Sequence, residues 1–441
     1  LFRFAPGYTQ QPLATTLDWS EWGGFGSAVE MCNNNGACRK ANGGVMCPSY
    51  RVTGEEQHLT RGRANSLRLA LSGQLGADAL SSDAMRETMD LCVGCKGCKR
   101  ECPTGVDMAK MKVEFLHHYH QRHRRSIKDR LIAYLPRYAM FASRFAPLLN
   151  LRNRVGLLAW FGERTLGLSA QRSLPRWHAQ RFNDEQVLTG NEDAGNGEVV
   201  LLVDTFNRYF ESDNARAAHA VLVAAGYRVH LLQAADGKRP LCCGRTFLAS
   251  GMVDEARSEA RRLLDAVRPY VSRGIPIIGL EPSCLLTLRD EYRSMLPGDE
   301  TEALAQQAML LEEFLAAQQQ QGKLQLKLKP LAARRVLVHG HCHQKAFATM
   351  SAMQQTLKLI PDLEVEVIDS GCCGMAGAFG YEASHYDLSM KMAELDLLPA
   401  VRAAEADTLL VANGTSCRHQ IEDGAERTAR HIACILQDAL D

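Results

Sequence analysis

The sequence predicts an α + α/β architecture in which an α-helical, cysteine-bearing module is followed by a duplicated α/β pair. Three observations carry this expectation. Residues 64–91 and 108–182 have apolar positions at helical spacing. From residue 198 onward, short Val/Leu/Ile runs alternate with helical stretches. The strands and cysteines of 198–320 then recur in the same order over 333–441, which reads as a repeat of about 110 residues.

Residues 1–30 are rich in Gly and aromatic residues, including Trp19-Ser-Glu-Trp22, and read as an irregular lead-in. A helical pattern follows over 64–91 through Leu67, Leu71, Met85 and Met89, and helices are expected over 108–182 with breaks at the prolines. Residues 189–197 are a Gly/Asn-rich linker. Beyond it, 199–203, 227–232 and 275–280 read as strands, 215–225 as a helix, and 300–317 as one helix fading into a Gln tract. Strands at 336–338, 363–368 and 408–411 echo the first three. The expected units are 1–130, 131–197, 198–330 and 331–441, in line with roughly 150 residues per domain for a chain of 441.

Composition excludes several classes. A hydrophobic fraction of 46% and a charged fraction of 23% are those of a globular protein, not a disordered chain or coiled coil. Lys plus Arg number 51 against 50 for Asp plus Glu, so no basic excess points to nucleic acid. No run reaches the ~18 apolar residues of a membrane-spanning helix. The nearest, 131–161, is broken by Arg137, Arg144, Arg152, Arg154, Pro136 and Pro147 and follows a basic run from Arg122 to Arg130. It suits either a membrane surface or, as the favoured reading, packing against a partner domain. The chain opens on Leu1 in mid-sequence, and further sequence is expected to precede it.

The unusual number is 15 cysteines. Fourteen fall in groups at 32–47, 92–102, 242–284 and 342–417, while Cys434 stands apart and reads as a packed core residue. Disulfide scaffolds are normally short secreted chains, and two of the pairs here are directly adjacent in sequence (Cys242–Cys243, Cys372–Cys373). Metal or redox-cofactor ligation in a reducing cytoplasm is therefore expected, with a peripheral position at the inner membrane face as a second placement.

Cys92, Cys95, Cys98 and Cys102-Pro103 reproduce C-x2-C-x2-C-x3-C-P without a gap. In that pattern three thiolates wrap one corner of a 4Fe–4S cubane and the fourth points to a second cluster. Structural zinc is the alternative, but it usually takes two separated cysteine pairs. The partner half-motif is Cys32, Cys38 and Cys47-Pro48, with Asn35 where another cysteine would stand. Crossed ligation assigns Cys47 to the first cubane and leaves Cys32, Cys38 and Cys102 for a second site. That second site suits a 3Fe–4S cluster, a 4Fe–4S cluster with one non-cysteine ligand, or no cluster. Lys96, Lys99 and Arg100 surround the loop; they either raise the cluster potential or, by default, solvate the surface.

The repeat places Cys342, Cys372, Cys373 and Cys417 in its second copy and Cys242, Cys243 and Cys284 in its first, with Thr205 where Cys342 would align. Strand-end loops of an α/β sheet converge at one edge, so each copy is a candidate metal site. A zinc or iron ion in the second copy would be helped by His341 or His343, and a buried remnant without metal is the competing reading. Elsewhere, the histidines between His117 and His123 suit a solvated helix face better than a metal site. Arg61 and Arg63 suit either a cofactor phosphate or carboxylate, or a helix cap. No dinucleotide fingerprint, P-loop or nucleophile elbow is present.

The cysteine repeat resembles the CCG domains of heterodisulfide reductase, of glycolate oxidase iron–sulfur subunits and of lactate-utilisation proteins. The C-x5-C of Cys32–Cys38 resembles the three-iron site in the iron–sulfur subunit of succinate dehydrogenase. Residues 60–63, 91–103, 281–284, 339–344 and 371–374 are most similar to bacterial FAD-linked D-2-hydroxyacid dehydrogenases, including the D-2-hydroxyglutarate type. The resemblance implies a helical ferredoxin module plus two CCG domains, preceded in the polypeptide by an FAD-binding half. It implies electron transfer from flavin to an external acceptor (quinone, electron-transfer flavoprotein or cytochrome), with 2-hydroxyglutarate, lactate or glycolate as the substrate class and a homo-oligomer as an option. Thr287 and Gln420 replace the closing cysteine of the family's C-x-x-C. A heterodisulfide-reductase-like catalytic subunit and a zinc-bearing scaffold are the alternative readings.

Overall fold

The computed structural model describes residues 8–41, 43–184 and 195–441, so residues 189–194 of the expected linker and 1–7 of the lead-in lie outside the described residues. The N-terminal part is helical: α1 (Phe25–Glu30), α2 (Pro48–Thr53), α3 (Thr60–Leu71), α4 (Asp83–Asp90), α5 (Gly97–Glu101) and α6 (Met108–Arg122). α1 lies inside the expected irregular lead-in and forms because Phe25, Ala28 and Val29 give it a buried face. The 64–91 pattern splits into α3 and α4, since Gly73 and Gly76 adopt left-handed backbone between them. Ser82 and Asp107 cap α4 and α6 with side-chain oxygens. Glu114, buried on α6, accepts hydrogen bonds from the Thr16 and Leu17 backbone N–H groups and from Trp19 Nε1, and so ties down the lead-in.

The connector comprises α7 (Ile127–Ala133), α8 (Leu135–Ala142), α9 (Ala146–Leu149) and α10 (Gly156–Leu166). Its prolines, Pro136 and Pro147, sit in the first turns of α8 and α9, where the missing N–H has no helical partner to lose. Helix stops at Leu166, short of the expected 182. Among the described residues no helix is long and apolar enough to cross a membrane. The connector nevertheless leaves Phe141, Phe145, Leu148, Leu157 (71% exposed), Trp160 (55%) and Phe161 on the surface.

The remainder forms two four-stranded parallel sheets. The first contains β1 (Glu198–Leu202), α11 (Thr205–Tyr209), α12 (Ser212–Ala224), β2 (Arg228–Leu231), α13 (Arg245–Ala249), α14 (Val253–Val271), β3 (Ile277–Gly279), α15 (Pro282–Arg289), α16 (Glu291–Met295), α17 (Asp299–Gln307), β4 (Ala308–Leu310) and α18 (Leu311–Gln320). The second contains β5 (Arg335–Val338), α19 (Cys342–Ala346), α20 (Met350–Leu357), β6 (Glu364–Val367), α21 (Tyr386–Glu394), α22 (Leu397–Ala403), β7 (Leu409–Val411), α23 (Thr415–Ala425), β8 (Ala429–Arg430) and α24 (Ile432–Asp438). Strand orders are β2-β1-β3-β4 and β6-β5-β7-β8, every neighbouring pair parallel. The expected single helix over 300–317 is instead α17, β4 and α18. Three residues carry no readable period, and pairing with β3 overrides their helical flanks.

The two sheet units pack through their helices, α12 on α24 and α18 on α20, and share one apolar core that includes Val199, Leu201, Val336 and Val338. A second core joins the helical module to the first unit through residues such as Leu67, Phe115, Phe247 and Leu263. Glu211, just after α11, clamps the two units: it accepts from both Nε (2.7 Å) and Nη2 of Arg418 and from Thr415 Oγ1 at 2.6 Å on α23. Burial pushes its carboxyl up, but the Arg418 charge and hydrogen bonds outweigh this and hold it at about 2. A depressed carboxyl stabilises the fold above its unfolded value of about 4.3, and that contribution is lost as pH falls towards 2. Glu211→Gln is therefore expected to lower stability at neutral pH and to flatten the decline between about pH 4.3 and 2. Denaturant midpoints measured across that range check this.

Candidate metal centres

The 92–102 loop leaves α4, passes Gly94 and Lys96 in left-handed backbone, and enters α5. Those two turns direct Cys95 and Cys98 inward, both buried. Cys47 approaches from the opposite side, at the N-cap of α2 with Pro48 at its first position. The Cys98 thiol lies within electrostatic reach of Cys47 and Cys92, and the Cys95 thiol within reach of Cys92 and Cys98. Cys47 Sγ accepts from the Thr60 N–H at 3.1 Å and lies 3.2 Å from Thr60 Oγ1. Burial pushes the Cys47 thiol up to about 11 and Cys98 higher still. Thiols so placed stay protonated until a cation displaces the proton, and the fixed N–H donors then favour the thiolate. The donor set fits an iron–sulfur cluster.

Cys32, Cys38 and Cys102 form a neighbouring group, in which Cys32 interacts with both other thiols. Arg68 braces it by donating to the Cys32 carbonyl at 2.6 Å. Arg63 is buried and donates to the carbonyls of His58 (2.6 Å) and Thr88 (3.1 Å) and to Ser49 Oγ (3.2 Å), while Arg61 pairs with Glu56 at 2.7 Å. Both guanidinium groups are thus engaged inside the helical module. The histidines on and just after α6 make local contacts as well, His118 with Glu114 and His123 with the Ser81 carbonyl.

The two sheet units present cysteines on matching features. Asp204 caps α11 one residue before Thr205, and His341 caps α19 one residue before Cys342. Cys284 and Cys417 are each the third residue of their helices, α15 and α23. Gly244 and Gly374 both have φ near +80°, and a Cβ there would meet the Ala256 carbonyl oxygen of α14 at 3.0 Å or the Ser389 carbonyl oxygen of α21 at 2.3 Å. Hence the Gly after each cysteine pair: both positions need left-handed backbone, and at Gly374 the following helix also passes too close for a side chain.

In the first unit Cys243 faces both Cys242 and Cys284, and the buried Tyr292 hydroxyl beside them has no hydrogen-bond partner among the described residues. In the second unit Cys342 meets Cys372, Cys372 meets Cys373, and Cys373 meets Cys417. Hydrogen bonding splits the Cys342–Cys372 pair, so Cys342 falls to about 7 while Cys372 rises. Besides the expected His341, which acts on Cys342, a further imidazole, that of His339, stands beside these thiols. A ring nitrogen of His339 and the Sγ atoms of Cys373 and Cys417 lie within 4.8 Å of one another. Burial first, and Lys345 in addition, hold His339 at about 4, neutral at physiological pH. His341 Nδ1 accepts from the His343 N–H at 3.1 Å, and His343 Nε2 lies 3.1 Å from the Gly94 carbonyl.

That last contact brings the groups together. α5 packs on α19, and Cys95, Cys342, Cys372 and Val45 share one small apolar cluster. Arg245 of α13 lies between Cys243 and Cys342 and pairs with Glu291. Lys96 is 2% exposed and bonds Asp107 (3.2 Å), Glu291 (3.3 Å) and Asp290. It is therefore an interior ion pair rather than the surface charge expected by default, because its left-handed backbone turns the side chain towards the first sheet unit.

Residues 28–106 match the 4Fe-4S dicluster domain, and 206–289 and 336–422 each match the cysteine-rich domain abbreviated CCG. The chain is an iron–sulfur protein. It is 24% identical to D-2-hydroxyglutarate dehydrogenase of Escherichia coli K12 over 96% of its own length and 44% of that protein's. It is 27% identical to one subunit of the anaerobic glycerol-3-phosphate dehydrogenase of the same organism (72% and 78% covered) and 24% identical to the probable glycolate oxidase iron–sulfur subunit of Bacillus subtilis 168 (89% and 91%). This iron–sulfur protein thus spans less than half the length of its D-2-hydroxyglutarate dehydrogenase relatives. No solved structure matches it.

Proposed function

We propose that the chain is the iron–sulfur electron-transfer portion of an FAD-dependent D-2-hydroxyacid dehydrogenase of the 2-hydroxyglutarate, lactate or glycolate class. One observation carries this reading: the Cys47/Cys92/Cys95/Cys98 group is docked directly against the strand-end loops of both sheet units. The similarity to a dehydrogenase and to iron–sulfur subunits of others supports it. A 4Fe–4S cluster held by those four cysteines supplies one-electron transfer, which a two-electron flavin oxidation needs in order to reach a one-electron acceptor. Around it the chain excludes water with Val45, Met46 and Met108, donates the Thr60 N–H to Cys47, and fixes the loop through Lys96. Cys32, Cys38 and Cys102 are the ligands of a second cluster in this reading. Cys242, Cys243 and Cys284 remain a weaker site, and the thiols of the second sheet unit a metal site.

An FAD-bearing module, in the same polypeptide or a partner, delivers the electrons. The exposed connector face around Phe141, Phe145, Leu148, Leu157, Trp160 and Phe161 is its docking surface in this reading, since contiguous apolar surface of this kind marks an interaction site. The units 1–130, 131–197, 198–330 and 331–441 remain our working division. Anaerobic purification followed by addition of D-2-hydroxyglutarate and the flavin-bearing module tests the proposal. The expected result is bleaching of the visible cluster absorption and a paramagnetic signal from the reduced cluster. A colourless protein containing zinc and no acid-labile sulfide would overturn it.

A further inference from the structure

His339 is the observation with no role so far. Its side chain is buried at 1% exposure, and its two ring nitrogens are in different situations. Nδ1 lies 3.0 Å from Ser370 Oγ. That hydroxyl already accepts from Lys345 Nζ at 3.2 Å and directs its own hydrogen to the Ile368 carbonyl at 3.5 Å. Ser370 thus engages Nδ1 and leaves Nε2 as the ring nitrogen for another partner. Nε2 has no nitrogen or oxygen partner among the described residues, and the other interaction of the imidazole is with the Cys373 thiol. A ring nitrogen of His339 and the Cys373 and Cys417 Sγ atoms lie within 4.8 Å of one another.

We propose that His339 Nε2, Cys373 Sγ and Cys417 Sγ bind a single borderline-soft divalent cation, of the Zn²⁺ or Fe²⁺ class. Two thiolates and one imidazole are a donor set such ions prefer over Mg²⁺ or Ca²⁺, and three protein ligands leave a fourth position for Cys372 or an exogenous group. Binding displaces any proton the two thiols still carry and involves no change of oxidation state. Ser370 and Lys345 complete the arrangement: Ser370 orients the imidazole, and Lys345 donates to Ser370 Oγ and to the Ser370 and Gly371 carbonyls, with its charge close to all four thiols. The duplication provides an internal comparison. Aligned on their helix caps, His339 corresponds to Leu202 and Cys342 to Thr205, so the first unit lacks the imidazole and one thiol. The site belongs to the second unit alone. It deepens the proposed metal role of these thiols by naming a single ion and a histidine ligand.

The test uses the full chain, purified anaerobically, with metal and acid-labile sulfide counted together and Co²⁺ as the spectroscopic probe. The expected wild type holds about one equivalent of metal beyond that accounted for by sulfide-containing clusters. His339→Gln loses that equivalent while sulfide and the cluster absorption are unchanged. His339→Cys, which supplies a third thiolate, retains the ion and strengthens the thiolate-to-Co²⁺ charge-transfer band by about one half. Ser370→Ala weakens Co²⁺ binding by roughly 10–100-fold. Full metal retention by His339→Gln, a joint loss of metal and sulfide, or no extra metal in the wild type would each overturn the site. Failure of the electron-transfer reading is separately visible, because it removes sulfide from the wild type and leaves the His339-dependent ion in place. Circular dichroism of both His339 variants separates ligand loss from misfolding.

Discussion

Cys98→Ser is expected to abolish the main cluster, lowering iron and sulfide by about four each per chain and reducing acceptor turnover by more than the roughly 10–100-fold typical of a supporting residue. Cys98 lies within electrostatic reach of both Cys47 and Cys92 and is 6% exposed. A serine oxygen is a harder and far less acidic ligand, so it does not replace the thiolate. Cys434 is the control. It lies buried on α24, with its thiol 3.3 Å from Asn214 Oδ1, in a different apolar core from Cys98. Cys434→Ser is expected to leave iron, sulfide and turnover unchanged. Iron and sulfide assays on both variants decide the matter, and equal loss in the two would remove the assignment of Cys98.

Lys96→Met is expected to destabilise the protein by about 3–5 kcal/mol, the largest effect on stability among the changes proposed here. The reason is asymmetric. Lys96 bonds Asp107, Asp290 and Glu291; Glu291 keeps Arg245, but removal of Lys96 leaves Asp107 and Asp290 facing each other without their shared cation. Lys99, 40% exposed, reaches Asp290 at 2.5 Å and compensates only in part. The double substitution Lys96→Met, Asp290→Asn is expected to recover part of the loss, because it removes one unpaired charge. Chemical denaturation midpoints of the single and double variants measure this. The pH sense follows from the same geometry: burial alone would raise the Asp290 carboxyl, but Lys96 and Lys99 hold it well below the usual carboxylate range. The stabilisation is present above about pH 3.9 and is lost as acid protonates the pair.

Lys96 also shows where a sequence reading reaches its limit. Between two cluster cysteines a lysine looks like solvated surface, since nothing local announces Asp290 and Glu291 nearly two hundred residues away. What turns it inward is a left-handed residue at the N-cap of a five-residue helix. The same limit explains His339. In His-Gly-His-Cys-His the two histidines flanking Cys342 are the natural candidates, yet a strand leading into a capped helix sends one imidazole to a backbone N–H and the other to Gly94. The histidine at the end of β5, three residues before the cysteine, also stands beside Cys373 and Cys417. β4 and β8 were unreadable for a related reason. At three and two residues they have no period, and they exist because a neighbouring strand offers its edge.

By itself the sequence determined the class of protein. Helical and strand periodicities are local, cysteine spacing is a one-dimensional pattern, and a repeat is visible as a repeat, so the α + α/β order and the iron–sulfur motif needed no coordinates. Tertiary structure alone decided how the parts meet. It placed the 92–98 loop against the second unit's thiols, buried Lys96 between the helical module and the first unit, and brought His339 beside Cys373 and Cys417. Those are contacts between residues far apart in the chain, set by packing and by the direction in which a few turns point their side chains. No local pattern encodes that direction until the surrounding elements have folded around it.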